Sequence, residues 1–290
     1  YCTDPSTLEG FSWLACYLTT GKHMAFYASF ATVMVLLAIT APVSLMFGFL
    51  GAMAARSHIL PLSWLGKGYS SMVRGVPDIV FFLFVPIALD QGLEWLNHKV
   101  RCPDWTEPIR RGSDFVVCDA AKIPLSNSPQ WMHETYGFLL AVLAFAIVFG
   151  AFATNVLYGA MRAVPKPQLE TAAAYGMSRR QTFWRVLVPQ MWVYALPGLS
   201  NLWQILVKAT PLLFLLGVED IVYWARELGG MKTQAFSYPH PDWRIWYFLG
   251  LLVFYLCLTK VSEMVFSRMM VRLSHGQATS AGEQQRKAAA

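Results

Sequence analysis

Long apolar runs alternate with short charged stretches along this chain. Four runs exceed the roughly 20 residues a helix needs to cross a bilayer: Phe26–Ala54, Tyr136–Met161, Met191–Leu216 and Trp246–Phe266. A fifth, Val76–Leu96, is shorter. Its apolar centre, IVFFLFVPIAL, contains Pro86 and is flanked by Asp78 and Asp90. The pattern predicts an all-α membrane protein with about five transmembrane helices. Pro42 is expected to interrupt the first span, with Gly48 and Gly51 thinning its end, and Pro197 and Pro211 to interrupt the fourth. A proline removes a backbone donor that neighbouring helices must compensate. Such breaks either adjust packing or line a path or gate.

The spans divide the chain into an N-terminal segment 1–25, a membrane domain 26–272 and a polar tail 273–290, which is expected to be disordered. Two connections stand out within the membrane domain: an insertion over 94–135 and a loop over 163–189. Residues 1–23 lack a basic leading region and do not read as a signal peptide. With the N-terminus outside, the inner segments 54–74, 162–190 and 267–290 carry 12 Lys/Arg against 2 Asp/Glu. The outer segments 1–25, 94–135 and 217–245 carry 9 against 12. This bias places the N-terminus outside and the C-terminus inside.

Composition agrees. The chain is 56% hydrophobic and 14% charged, against about 25% charged in soluble chains. The net charge of +6 follows from topology, and no nucleic-acid motif accompanies it. The insertion 94–135 is long for a structureless loop and contains Cys102 and Cys118. An oxidising outer compartment permits a disulfide between them. Cys2 and Cys16 lie on the same predicted side, so other pairings remain open. Cys257 falls within the fifth span, where packing explains it. No Cys/His metal spacing appears.

The inner segment Val164–Pro189 has a detailed local pattern. Pro165 and Pro167 end the third span and pre-set a helix start, placing Glu170 in a first turn, where the helix dipole favours it. Leu169, Ala172, Ala173 and Gly176 recur at helical spacing and form a narrow face of small residues. Gly176 is a natural stop. Ser178 and Gln181 form a capping box for a second short helix. Phe183, Val186 and Leu187 give this helix an apolar face, Arg179, Arg180 and Arg185 a basic one, and Pro189 its end. A helix, tight turn and helix of this kind are suited to docking a partner.

At these residues the sequence resembles a family. Glu170, Ala172, Ala174, Gly176 and Pro189 fit the "EAA" loop of ABC importer permeases, with Thr171 and Val188 as departures. RGVP at Arg74–Pro77, including Gly75, is similar to the signature that opens the second core span of the polar amino acid branch. GAMRAVP at Gly159–Pro165, ALPGLSN at Ala195–Asn201 and KATPL at Lys208–Leu212 resemble further motifs of that branch. The match runs from about Phe26 to Arg272 and leaves out the insertion. The resemblance implies a type I importer permease in the bacterial inner membrane. Glu170, Ala172, Ala173, Gly176, Arg179 and Arg180 would then couple to a dimer of ATPase subunits that hold ATP and Mg²⁺. A second permease, identical or homologous, and a periplasmic amino-acid-binding protein would complete the system.

Position and polarity select Asn155, Asn201 and Trp203 for the substrate path. By resemblance Lys208 belongs to an outer gate, or it snorkels to the interface. Asn155 stands where the family commonly has a glutamate, which points away from a strictly basic substrate. Alternatively, Asn155 bonds a neighbouring helix. The chain lacks a P-loop and a nucleophile or acid–base constellation, so it is not expected to be an enzyme. The rival class is a membrane-anchoring subunit of a redox or transferase complex. A scaffold is the weaker third reading.

Overall fold

The computed structural model describes residues 2, 8–73, 75, 77–107, 109–112, 114–216 and 218–273. Arg74 and almost all of the predicted tail fall outside this set. The described chain forms ten α-helices: α1 Gly10–Leu18, α2 Gly21–Ala55, α3 Leu60–Met72, α4 Asp78–Arg101, α5 Gln130–Ala163, α6 Lys166–Ala174, α7 Arg179–Thr182, α8 Val188–Ala209, α9 Ile221–Gly229 and α10 Arg244–Leu273. Two-residue strands β1 (Arg110–Arg111) and β2 (Asp114–Phe115) pair antiparallel within the insertion.

Four of these helices are long and apolar enough to cross a membrane: α2, α5, α10 and, from Ile79, α4. The fifth predicted span, α8, has 22 residues, about 33 Å at 1.5 Å per residue. Gln190, Ser200, Asn201, Gln204 and Lys208 dilute its hydropathy below that of the other four.

Helix α5 is the centre of the bundle. Phe145, Val148, Ala151, Thr154 and Leu157 along it are wholly buried, and α2 lies against it. Close approach of the two helices depends on glycine. A Cβ on Gly48 would stand 2.5 Å from that of Ala153, and one on Gly51 would run into Thr154 and Tyr69. Small residues of this kind drive helix association where lipid offers no hydrophobic force. The two glycines therefore create a packing face rather than thinning the helix end. Pro42 and Pro197 also depart from expectation, because α2 and α8 run through them unbroken. Pro211 does mark a change, from α8 to a 3₁₀ segment over Thr210–Leu216.

The second predicted span, Val76–Leu96, corresponds to α4, which runs unbroken through Pro86, and a further helix precedes it. Residues 54–74, expected as an inner loop, contain α3, which packs against α2 and α5. The Tyr69 hydroxyl donates to the Ile147 carbonyl at 2.6 Å, and Asn155 Nδ2 donates to the Ser70 carbonyl at 2.8 Å. After a break at 73–77, α4 continues along α5. Phe82 stacks on Phe145 and Phe149, and the Tyr136 hydroxyl donates to Asp90. The break lies beside the middle of α5. It contains Gly75 and Pro77, both exposed, and Pro77 is the N-cap of α4.

At one end of the bundle, two disulfides fasten short elements. Cys102–Cys118 closes the insertion and Cys2–Cys16 ties the leading residues to α1. The helices flanking the insertion extend further than their apolar runs, which leaves only 102–129 outside them. Val117, Cys118 and Ala121 make a small core there with Ile109 and Phe115. Asn97 donates to the Ala121 carbonyl, His98 accepts from the Cys118 amide and Glu94 accepts from the Ile123 amide. His98, Cys102 and Cys118 lie close together, but the two sulfurs are bonded to each other. Helix α1 and the start of α2 are held against α9, α10 and the connection between them. Tyr17 bonds His240 at 2.9 Å, His23 bonds Tyr247 at 2.7 Å, and Glu227 pairs with Lys22 and Lys232. Cys257, expected to be packed, is exposed on α10.

Candidate functional site: a coupling element and a polar helix face

The segment between α5 and α8 folds as a two-part projection at the end of the bundle opposite the disulfides. Helix α6 starts with Pro165 as N-cap and Pro167 in its first turn, where a missing N–H is harmless. Glu170 is the fifth residue of α6, one turn later than its sequence reading, so the dipole argument for it lapses. Helix α6 ends at Gly176, whose φ of +81° is a left-handed conformation that other residues enter at a cost of about 1–2 kcal/mol. The Gly176 amide donates to the Ala173 carbonyl at 2.9 Å and the Met177 amide to the Ala172 carbonyl at 3.1 Å. This is the paired-bond glycine stop known as the Schellman motif. Ser178 then caps α7. Its hydroxyl accepts from the Gln181 amide, and the Gln181 side chain accepts from the Ser178 amide.

The small-residue face divides between inside and outside. Ala172 is buried and Leu169 half-buried, with Leu169 packed on the cluster of Ala52, Leu157, Leu187 and Met191. Glu170, Ala173, Tyr175, Gly176, Arg179 and Arg180 are exposed, Tyr175 to 85%. Ala172 therefore anchors the element, and the others form its free surface. Phe183 and Trp184 pack on Phe49 near the end of α2, which ties the projection to two spans at once. The second short helix does not end at Pro189. Residues Phe183–Leu187 form a π-helical turn that leads directly into α8. A π-turn shifts the hydrogen-bond register, so a proline without a donor fits at the start of the following helix. Helix α7, the π-turn and α8 thus form one continuous helical run.

Helix α8 has two dissimilar faces. Gln190, Tyr194, Asn201, Gln204 and Lys208 fall within roughly 40° of one line along it, at 100° per residue. All five are exposed or half-buried, and none makes a side-chain hydrogen bond within the described chain. The opposite face carries Leu196, Leu199, Trp203 and Leu206, which line an apolar cavity of about 470 Å³ with Phe149 and Phe266. The structure therefore separates the four residues selected for the substrate path. Asn201 and Lys208 share the polar line. Trp203 turns away into the apolar cavity. Asn155 donates to the Ser70 and Ala151 carbonyls and joins α5 to α3. Sequence reasoning missed Gln190, Tyr194 and Gln204. Their spacing was the available signal: a polar residue every third or fourth position through a span of low hydropathy.

Residues 47–269 match the family of binding-protein-dependent transport system inner membrane components. This chain belongs to that family. The matched stretch contains the break at 73–77, the coupling element and α8. The permease is 32% identical to the histidine/lysine/arginine/ornithine transport system permease protein HisQ of Salmonella typhimurium, over 80% of this chain and 86% of HisQ. It is 30% identical to the arginine ABC transporter permease protein ArtQ of Escherichia coli, over 73% and 79% of the two chains. It is 31% identical to the octopine transport system permease protein OccQ of Agrobacterium tumefaciens, over 81% and 84%. Among solved structures, a crystal structure of an amino acid ABC transporter with histidines matches with a TM-score of 0.58 and 19% identity, covering 88% of the permease and 98% of that chain. That likeness supports the fold. The permease is thus a transport subunit of an ABC system and not an enzyme, and ATP hydrolysis belongs to a separate subunit. A redox or transferase anchor is set aside.

Proposed function

We propose that the permease is one half of a two-permease pore in a bacterial cytoplasmic membrane, with its N-terminus outside and the coupling element inside. It carries an amino acid delivered by a periplasmic binding protein. ATP and its Mg²⁺ are held by ATPase subunits that dock on Glu170, Ala173, Gly176, Arg179 and Arg180. The observation that carries this reading is the continuity of the projection with α8. An ATPase that shifts α7 shifts the helix whose outer face is polar.

That polar face supports the placement of the path. An unpaired polar or charged group facing hydrocarbon is costly, so three amides, a phenol and an ammonium on one line need water or a second subunit opposite. A path between two permeases supplies both. The substrate gains direction only if it meets two states with different affinity, and ATP binding on the partner subunits supplies that bias. The insertion and α1, fastened by disulfides, lie at the end where the binding protein docks.

Affinity purification of the permease from mild detergent, after expression with its neighbouring genes, tests the docking. An ABC ATPase is expected to co-purify with the wild type, and the Glu170→Ala/Gly176→Pro variant to lose it while retaining its melting temperature within a few degrees. Co-purification without any ATPase contradicts the reading.

A further inference from the structure

A cavity of about 530 Å³ lies between the coupling element and the end of α2. Two guanidiniums and an imidazole line it, each from a different segment: Arg56 just past α2, His58 in the link to α3, and Arg179 at the start of α7. The Thr182 hydroxyl joins them. The three basic side chains are exposed, and none has a hydrogen-bond or ion-pair partner among the described residues. No described carboxylate lines the cavity. Two arginines held on one cavity without a counter-ion repel each other. An anion between them turns that repulsion into charge-assisted hydrogen bonds. Guanidinium forks suit phosphate oxygens in particular, and an imidazole has an N–H to donate in either protonation state.

The remaining wall is apolar and includes Met53, Leu169, Phe183 and Leu187. A free inorganic anion leaves that wall uncovered, whereas an amphiphile with an anionic head covers it. The height of the cavity favours a lipid. The apolar run of α2 ends at Ala55, and Ile59, Leu60, Trp64 and Leu65, which follow His58, are all highly exposed. Exposed aliphatic and indole side chains next to basic ones mark the level of the headgroups. Basic pockets among helices on the cytoplasmic side recognise anionic headgroups. Glu170, Gly176 and Arg180 do not line the cavity, so most of the docking surface stays free for an ATPase.

We infer that this cavity binds an anionic phospholipid of the inner leaflet, with its phosphate on Arg56, His58 and Arg179 and its acyl stem against Met53 and Phe183. The bound lipid braces the projection against α2. The inference rests on the coupling element lying at the inner membrane surface.

Native mass spectrometry of the delipidated permease, purified with its partner subunits and titrated with phosphatidylglycerol or phosphatidylcholine, tests it. The wild type is expected to retain phosphatidylglycerol in preference to phosphatidylcholine. Arg56→Gln/His58→Gln is expected to bind phosphatidylglycerol about tenfold more weakly, the loss of a charge-assisted hydrogen bond, with its melting temperature and ATPase co-purification as in the wild type. Arg56→Lys keeps the charge and most of the affinity. Equal retention of the two lipids by the wild type overturns the inference, as does equal phosphatidylglycerol affinity in the wild type and the double variant. Displacement of the phosphatidylglycerol by inorganic phosphate overturns it in favour of a soluble anion. Loss of the ATPase from the double variant, with lipid binding unchanged, overturns it in favour of an acidic side chain of that subunit. Preferential phosphatidylglycerol binding supports the inference even where no ATPase co-purifies, so the lipid site and the docking reading fail separately.

Discussion

Gly176 shows how one residue's backbone allowance can shape a functional element. Its positive φ stops α6 and brings Ser178 into position to cap α7. Gly176→Val forces a β-branched side chain into the left-handed region at about 1–2 kcal/mol and reorients α7. The melting temperature is expected to fall by only a few degrees while ATP-driven uptake falls severalfold, as paired thermal-shift and uptake assays can read. Gly51 contrasts with it. Gly51→Val drives a side chain into Thr154 and Tyr69, and overpacking of this kind costs about 1–3 kcal/mol. Its signature is a lower melting temperature in detergent with ATPase docking intact in the protein that survives. Asp220 provides a pH probe outside the spans. It caps α9 through one oxygen while the other is buried without a partner, and burial pushes its carboxyl up to about 6. The folded chain thus holds a proton that the unfolded chain releases near the ordinary value of 3.8. Its contribution to stability is fully present below about pH 4, is lost as the pH rises to about 6, and changes no further above that. Asp220→Asn keeps the cap and is expected to flatten that slope in melting curves taken from pH 4 to 7.

At the scale of elements, what the sequence revealed depended on whether the signal was local. The capping box at Ser178 and Gln181 and the stop at Gly176 were legible because each is a contact within a few residues. The fate of Pro189 was not, because a π-turn depends on how Phe183 and Trp184 pack on Phe49 of α2. The helix that precedes the second span was also hidden. Helix α3 has too few apolar residues to read as membrane-embedded, and its burial comes from Ser63 and Gly66 against the end of α2 and from Tyr69 and Ser70 meeting α5. The polar face of α8 had a visible period, but a scan by mean hydropathy averages that period away. The insertion allows a test of its own. Cys102 and Cys118, 16 residues apart, close a loop whose entropy contributes about 3 kcal/mol. Replacing both by serine is expected to raise protease cleavage and hydrogen exchange within 102–129 and leave α5 and α8 unchanged.

Across the whole molecule, two features at opposite ends are joined by one helix. The capped projection lies at one end and the disulfide-held elements at the other. Helix α8 runs between them with a polar face on one side and an apolar face toward its neighbours. The central claim is that the force of an ATPase on α6 and α7 reaches the path through α8. The most direct measurement is amino-acid uptake into proteoliposomes holding the complete transporter with its binding protein, comparing wild type with Gly176→Val while recording ATP hydrolysis in the same vesicles. Our account predicts uptake that requires ATP and the binding protein in the wild type, and a variant whose uptake falls severalfold more than its ATP hydrolysis. Uptake that remains at wild-type level in the variant, or that proceeds without ATP, would contradict it.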